Sequence, residues 1–496
     1  MPVGIAGLDL DSLPRSRAST PGAEWALTRQ AGVLRLVVLA RAEGRHLLDG
    51  LEGETTSETG GTLLVGPASP RNAAALRRHL DWLRPRPLGT RTSAGMGDRL
   101  GLATPGHVRA VRAVGGGIAP VFAQQSIREM ARTGRTPIEV MDDATWGIFE
   151  EGWKEGVGAD ADHLKSPVDV DGCLAAGFSL FTIDPGEQVD SSADTADTSS
   201  LRAKTAALPW ADLEDTETAL RKRFLGRTFT VEHLRIRFDE ATLLRAAAKY
   251  GRAVAHVAKM GRHLCRSAGG RAVELEVSVD ETETATAPAE HYWVASELVR
   301  LGVSWVSLAP RFVGRFEKGV DYIGDLAALE TDMAAHAAIA REMGPYKLSL
   351  HSGSDKFSVY PIAARQARGL VHLKTAGTSY LEALRTVAGV DPALFREIYA
   401  FARERYETDR ASYHVSAGVD RAPLPAAVGD AALAGVLDQF DAREILHVTF
   451  GSVLKETGPD GPRFKGELYR LLRAHPEAYA RNLEAHFERH LRPFVG

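Results

Sequence analysis

Short apolar stretches alternate with amphipathic helical segments along the chain from residue 90 onward. Each stretch has the length and composition of a buried strand, and most end in Gly, Pro, Asp or His. The predicted strands are Thr92–Arg99, Ala119–Gln125, Val157–Lys165, Phe178–Asp184, Ala272–Asp280, Val303–Pro310, Tyr346–His351 and Leu370–Lys374. Eight strands with crossover helices predict an α/β protein with a TIM-like (β/α)8 barrel. An open doubly wound sheet is the alternative, because alternation alone does not establish closure.

Helical periodicity fills the segments between these strands. The predicted helices are Gln125–Arg132 with Asp142–Trp153, Phe238–Arg266, His291–Leu301, Gly324–Met343 and Val359–Ala367. One acidic segment that is rich in Ser and Thr, Glu187–Ser200, interrupts the alternation after the fourth strand, and its composition predicts a mobile surface loop. We therefore expect an insertion at residues 187–225 of the barrel.

The pattern before the barrel is different. Residues 1–30 have no clear period, and we expect them to be irregular. Val33–Ala40 and Thr62–Val65 then have the composition of strands, and Asn72–Trp82 has the period of a helix. These elements predict a small N-terminal α/β extension over residues 1–90.

The pattern after the barrel is almost entirely helical. Tyr380–Tyr406 and Phe464–Leu491 are long amphipathic segments, and Pro476 is expected to break the second one. We therefore predict a catalytic barrel over residues 91–380 and a helical C-terminal region over residues 381–496 that packs on it.

Composition excludes several classes of protein. The chain has 496 residues, of which 44% are hydrophobic and 25% charged, as in an ordinary globular protein. A net charge of -4 without a basic run argues against a nucleic-acid partner. We find no signal peptide and no apolar run long enough to cross a membrane. With only Cys173 and Cys265, we expect a cytoplasmic protein without disulfide bonds, and a homo-oligomer stays open.

Polar side chains lie at the ends of the predicted strands. Lys347 and His351 share one face of the seventh strand, and His372 and Lys374 repeat this arrangement on the eighth. His163 ends the third strand. Three imidazoles at the carboxyl ends of barrel strands suit a borderline divalent metal, so we predict His163, His351 and His372 as ligands. The residues do not distinguish Zn, Mn, Co, Ni and Fe.

One other interpretation of the three histidines stays open. A hydrogen-bonded polar cluster that lines a metal-free sugar site would place the same residues at the same strand ends. Gly95–Gly101 resembles a dinucleotide turn, but its spacing is G-x-G-x-x-x-G and no clear helix follows. We therefore do not predict a bound nicotinamide.

Seven strand-end motifs, taken together, resemble the bacterial tagaturonate/fructuronate epimerase family, and the similarity runs from about residue 90 to about residue 415. They are Ser93–Gly101, Phe122–Ser126, Ala159–Lys165, Phe181–Gly186, Val279–Glu283, Ala309–Phe312 and Leu350–Phe357. The resemblance implies an isomerase of hexuronate catabolism that depends on a divalent metal and interconverts D-tagaturonate and D-fructuronate.

The chemistry of that reaction restricts its mechanism. The two ketouronates differ at a carbinol carbon β to the ketone, and the ketone does not acidify its C–H bond. Retro-aldol cleavage, rotation of the aldehyde and re-addition would invert it, whereas transient oxidation would need a nicotinamide. We predict Asp162 as the group that accepts the β-hydroxyl proton and Glu276 as the group that returns it.

The carboxylate and hydroxyls of a ketouronate require hydrogen-bond donors and cations. We predict that the substrate-binding residues are Arg99, Gln124, Lys165, Lys347, Ser354, Asp355, Lys356 and Lys374. A metal-dependent sugar aldolase or an aldose–ketose isomerase on the same barrel is the alternative enzyme. A sugar-binding or regulatory module is the alternative without catalysis.

Overall fold

A five-stranded antiparallel sheet and one helix precede the barrel in the computed structural model, which describes residues 5, 12–30, 32–459 and 461–495. The strand order is β1-β2-β3-β5-β4. The elements are β1 (Ala18–Thr20), β2 (Ala23–Gln30), β3 (Val33–Ala40), β4 (Glu54–Glu58), β5 (Gly61–Pro67) and α1 (Pro70–His79). The predicted strands and helix of this region are therefore present.

The prediction that residues 1–30 are irregular is wrong for residues 18–30. β2 pairs with β3 along its whole length, and Trp25, Ala26 and Leu27 are all buried. Because consecutive side chains are buried on both faces of the sheet, the strand lacks the period-two alternation that would have identified it. The part of the prediction that concerns residues 1–4 and 6–11 lies outside the described residues.

Eight parallel strands close into a barrel, as predicted, and all eight predicted strands are found within a few residues of their expected ends. The eighth strand pairs with the first through His372 and Ser93, which completes the closure. The barrel strands are β6 (Ser93–Gly95), β7 (Ala119–Ser126), β8 (Gly158–Leu164), β9 (Leu180–Ile183), β12 (Glu274–Val279), β13 (Ser307–Pro310), β14 (Lys347–Leu350) and β15 (Val371–Lys374). A separate hairpin of β10 (Thr228–Val231) and β11 (Leu234–Arg237) is inserted between the fourth and fifth barrel strands.

Helices connect these strands on the outside of the barrel. Several begin at side-chain caps that satisfy free backbone N–H groups, for example Thr136, Ser166 and Asp239. The helices are α2 (Thr104–Ala113), α3 (Ile127–Thr133), α4 (Pro137–Glu151), α5 (Pro167–Ala176), α6 (Thr198–Ala206), α7 (Glu217–Phe224), α8 (Glu240–Ser267), α9 (Pro288–Arg300), α10 (Leu326–Met343) and α11 (Tyr360–Ala367). The short helices α2 and α5 were not predicted.

The segment Glu187–Ser200, predicted as a mobile loop, folds into two short 3-10 turns and the start of α6. The buried ammonium of Lys249 on α8 anchors it, since Nζ lies 3.0 Å from Asp194 Oδ1. The inserted structure includes α7 and continues through the β10–β11 hairpin, beyond the predicted limit at residue 225.

The C-terminal region is helical, as predicted. Its elements are α12 (Thr378–Val390), α13 (Pro392–Asp409), α14 (Phe440–Val448), α15 (Phe450–Lys455), the short pair β16 (Thr457–Gly458) and β17 (Gly461–Pro462), α16 (Lys465–Ala474) and α17 (Pro476–Leu491). Pro476 separates the last two helices as expected, and Pro392 divides the segment that was predicted as one helix. The predicted domain limit at residue 380 lies inside α12. Within the described chain, no helix has both the length and the hydropathy that crossing a bilayer requires.

Candidate active site

Charged side chains fill the carboxyl end of the barrel. Asp160 and Asp162 on β8, Glu276 on β12 and Lys374 on β15 are all buried. Lys374 Nζ lies 2.9 Å from Asp160 Oδ2, 2.7 Å from Asp162 Oδ1 and 2.6 Å from Glu276 Oε1. The ammonium of Lys374 therefore forms ion pairs that link β15 to β8 and β12.

The charged residues of this cluster shift one another's pKa values. Burial alone would lower the pKa of Lys374, but the three carboxylates raise it well above its usual value. Burial would raise the pKa of Glu276, whereas Lys374 and His351 hold it well below its usual value. Burial is likewise outweighed at Asp162, where His163 and Lys374 hold the pKa well below its usual value. The lysine and both carboxylates are therefore ionised at neutral pH.

Two histidines lie directly beside this cluster. His163 Nδ1 is 2.9 Å from Asp162 Oδ1, and His351 Nε2 is 2.6 Å from Glu276 Oε1. The two imidazole rings have centroids 5.0 Å apart. His163 adopts a left-handed backbone with φ of 55° at the end of β8. A residue other than glycine adopts this conformation at a cost of about 1–3 kcal/mol, which is characteristic of functional positions.

Asp162, His163 and His351 each direct one ligand atom to a common place, and these atoms lie within 4.8 Å of one another. Asp184 and Glu281 form a second such group with the same histidine, His163. Within the described chain, the Nδ1 atoms of His163 and His351 have no hydrogen-bond partner, although carboxylates lie close to them. Two imidazole nitrogens without hydrogen bonds, close to a carboxylate, are an arrangement that a cation can complete.

A cavity opens above these residues, and its other walls carry four cationic side chains and two glutamates, Glu129 and Glu317. Asp162, His163 and His351 contribute to its lining. The cationic residues that line it are Arg99, Arg128, Arg132 and Lys318. The cavity therefore combines an acidic, histidine-containing floor with walls that suit an anionic ligand.

A family model described as tagaturonate epimerase matches residues 17–494 of the chain. A tagaturonate/fructuronate epimerase from Thermotoga maritima is 45% identical over 425 residues, which are 85% of this chain and 84% of that protein. The chain belongs to the tagaturonate epimerase family.

Solved structures lead to the same family. A fructuronate-tagaturonate epimerase from Cohnella laeviribosi, in a native crystal structure and in a glycerol complex, matches with a TM-score of 0.92 and 40% identity. Each match covers 99% of this chain and 97% of the other. The predicted family and the predicted enzyme class, an isomerase, are thereby confirmed.

In this member of the tagaturonate epimerase family, the third predicted metal ligand lies deeper in the barrel. His372 precedes Lys374 by two residues, and its side chain belongs to neither convergent group. Its Nδ1 lies 2.8 Å from Ser93 Oγ and its Nε2 lies 3.8 Å from Asp160 Oδ2. Burial lowers its pKa, so the ring is neutral at pH 7.

Four predicted substrate-binding residues have protein partners away from the cavity. Lys347 donates to Ser93 Oγ in the layer of His372. Lys165 contacts Glu187 at the surface, and Lys356 donates to backbone carbonyls. Asp355 accepts from Arg443 and His486. These four side chains are held by other protein groups, and their contact with the substrate stays a prediction.

The other predicted residues lie at or beside the cavity. Arg99 and Ser354 line it, and Gln124 Nε2 donates to Asp162 Oδ2 at 3.3 Å. Sequence reasoning missed Arg128 and Lys318. Arg128 follows β7 on α3 and could have been placed at the barrel mouth by that position, whereas Lys318 lies in a loop without a regular pattern.

The Lys374→Met variant tests the charged cluster. It would leave buried carboxylates without their shared cation, so we expect a loss of about 3–5 kcal/mol in unfolding free energy, measured by urea denaturation. Lys165→Met is the matched control, since Lys165 forms a partly exposed pair with Glu187. Its loss should not exceed about 1 kcal/mol. Equal stability of the two variants would contradict the role of Lys374.

Proposed function

We propose that this chain interconverts D-tagaturonate and D-fructuronate, with a divalent cation as cofactor, by inverting the carbinol carbon β to the ketone. Its membership of the tagaturonate epimerase family supports the reaction. The observation that carries the proposal is the convergence of Asp162, His163 and His351 beside ionised carboxylates, under a cavity whose walls carry four cationic side chains. A sugar acid requires both features, one for its reacting hydroxyls and one for its charge.

The residues at the cavity floor fit a divalent cation. Imidazole nitrogens are ordinary ligands of Zn, Mn, Co, Ni and Fe, so His163 and His351 are the proposed ligands, and the carboxylate of Asp162 lies beside them. When bound there, such a cation would polarise the ketone and stabilise negative charge on its oxygen. Glu276 accepts from His351 Nε2 at 2.6 Å and would orient that ring. We assign His372, from the predicted set, to support of Asp160 below this site.

Cleavage of the bond between the α and β carbons requires removal of the β-hydroxyl proton. Asp162 is ionised and reaches the cavity, so it is the proposed acceptor. The electron pair of the broken bond remains on the ketone fragment as an enolate, and the β carbon becomes an aldehyde. Rotation of that aldehyde exposes its other face, and re-addition restores the bond with inverted configuration.

The proposed acid, Glu276, begins the reaction without a proton. Burial was expected to keep Glu276 protonated, but Lys374 and His351 lower its pKa instead. Lys374 Nζ contacts both Asp162 and Glu276. The ammonium can therefore pass one proton to Glu276 and receive one from Asp162. Glu276 would thus acquire its proton during the reaction and return it to the new alkoxide.

Product analysis by NMR tests the overall reaction. Incubation of the metal-loaded protein with tagaturonate in D2O should give fructuronate without deuterium at the α or β carbon, because retro-aldol inversion breaks no C–H bond. Release of three-carbon fragments as the main products would instead indicate an aldolase. Movement of the carbonyl would indicate an aldose–ketose isomerase.

Metal content tests the ligand assignment. We expect His163→Ala and His351→Ala to lower bound divalent metal at least about tenfold, as measured by elemental analysis of the purified protein. His263→Ala is the control, because His263 pairs with Asp171 on the outside of the barrel. Its metal content should equal that of the wild type. Full metal content in both His163→Ala and His351→Ala would rule out this site.

Substitution of the two carboxylates tests the proton transfers. We expect Asp162→Asn and Glu276→Gln each to lower kcat at least about a hundredfold, the usual effect of removing a general acid or base. Circular dichroism and metal analysis should accompany the rates. If Glu276→Gln loses its metal or its fold together with activity, Glu276 positions His351 and is not the acid.

A further inference from the structure

Lys318 differs from two of its cationic neighbours on the cavity wall, Arg99 and Arg128. Arg99 already pairs with Glu129 at 2.7 Å, and Arg128 pairs with Glu281 at 3.1 Å. Lys318 Nζ instead donates to Ser352 Oγ at 2.9 Å and forms no ion pair with a carboxylate of the described chain. Glu281, Asp280 and Glu129 act on its charge only over longer distances. Its charge is therefore available to an anion that enters the cavity.

The loop that carries Lys318 is held by two buried cations. Lys356 Nζ donates to the carbonyls of Glu317 and Val320 on either side of it, and Arg443 Nε donates to the carbonyl of Gly319. These carbonyls are thus turned toward protein donors. These backbone contacts hold the loop so that the Lys318 side chain lies at the cavity. Because the loop is already ordered, less conformational entropy is lost when the side chain binds a ligand.

The position of Lys318 relative to the acidic floor is also fixed. Its hydrogen-bond partner, Ser352, directly follows His351, and all three residues line the same cavity. The unpaired ammonium of Lys318 attracts a carboxylate, whereas the floor offers the groups that would act on the hydroxyls. An anionic sugar would therefore enter with its carboxylate toward Lys318 and its hydroxyls toward the floor.

We infer that Lys318 binds the carboxylate of the ketouronate and selects sugar acids over neutral ketohexoses. This inference rests on the proposed function and names the residue that sets its substrate class. Cleavage between the α and β carbons leaves an aldehyde fragment that carries the carboxylate. An anchored carboxylate would keep this fragment in the cavity while its aldehyde turns, so re-addition would compete with escape.

Inhibition by two small probes separates the carboxylate from the hydroxyls. Glycerate and glycerol differ in a single group, a carboxylate in place of a hydroxymethyl. We expect Lys318→Met to raise both the Ki of glycerate and the KM of tagaturonate about 10- to 100-fold, the range for loss of a charge-assisted hydrogen bond. The Ki of glycerol should change less than about twofold. NMR should also detect more three-carbon fragments per turnover.

Two further variants control for charge and for general damage. Lys318→Arg keeps the cation and should recover most of the affinity for glycerate. Lys259→Met removes an exposed lysine from α8 and should behave as the wild type. Wild-type KM and Ki values in Lys318→Met, or an equal loss of glycerate and glycerol binding, would overturn the inference. A wild-type protein that does not convert ketouronates would instead contradict the proposed function itself.

Discussion

The ammonium of Lys374 is the interaction on which the site depends. Three buried carboxylates at one end of a barrel would repel one another and would be costly to keep ionised. Lys374 contacts all of them at 2.6–2.9 Å and so permits their burial in the charged form. Asp162 and Glu276, in turn, are the direct neighbours of His163 and His351. The positions of the histidines therefore follow from the charge balance beneath them.

A second buried network ties the C-terminal helices to the barrel mouth. Asp355, in the loop after β14, has a left-handed backbone with φ of 60° and accepts from Arg443 on α14 and His486 on α17. Its own N–H donates to His490 Nε2. Since this loop also carries Ser354 of the cavity wall, the C-terminal helices help to shape the site. This dependence gives a physical reason for a family match that extends to residue 494.

Much of the barrel could be predicted from the sequence because each strand is short, apolar and followed by a turn. Alternation also placed His351 and Lys374 on inward faces, and both lie at the site. Alternation does not show how deep in the barrel an inward-facing side chain lies, so His372 was grouped with His163 and His351, which lie nearer the mouth. Alternation also does not show which polar side chains already have hydrogen-bond partners within the protein. Lys356 and Asp355 follow His351 closely in sequence, yet buried contacts from distant segments occupy them.

Lys318 shows why the cavity wall was harder to predict than its floor. Its loop follows β13 and has no period, so nothing local indicates that its side chain faces the cavity. The carbonyl contacts from Lys356 and Arg443 set that direction, and both donors lie far from it in sequence. Strand alternation places the residues of the floor, whereas the direction of Lys318 on the wall depends on long-range contacts with two buried cations. The residues of the floor could therefore be predicted from local pattern, whereas the direction of Lys318 depends on tertiary packing.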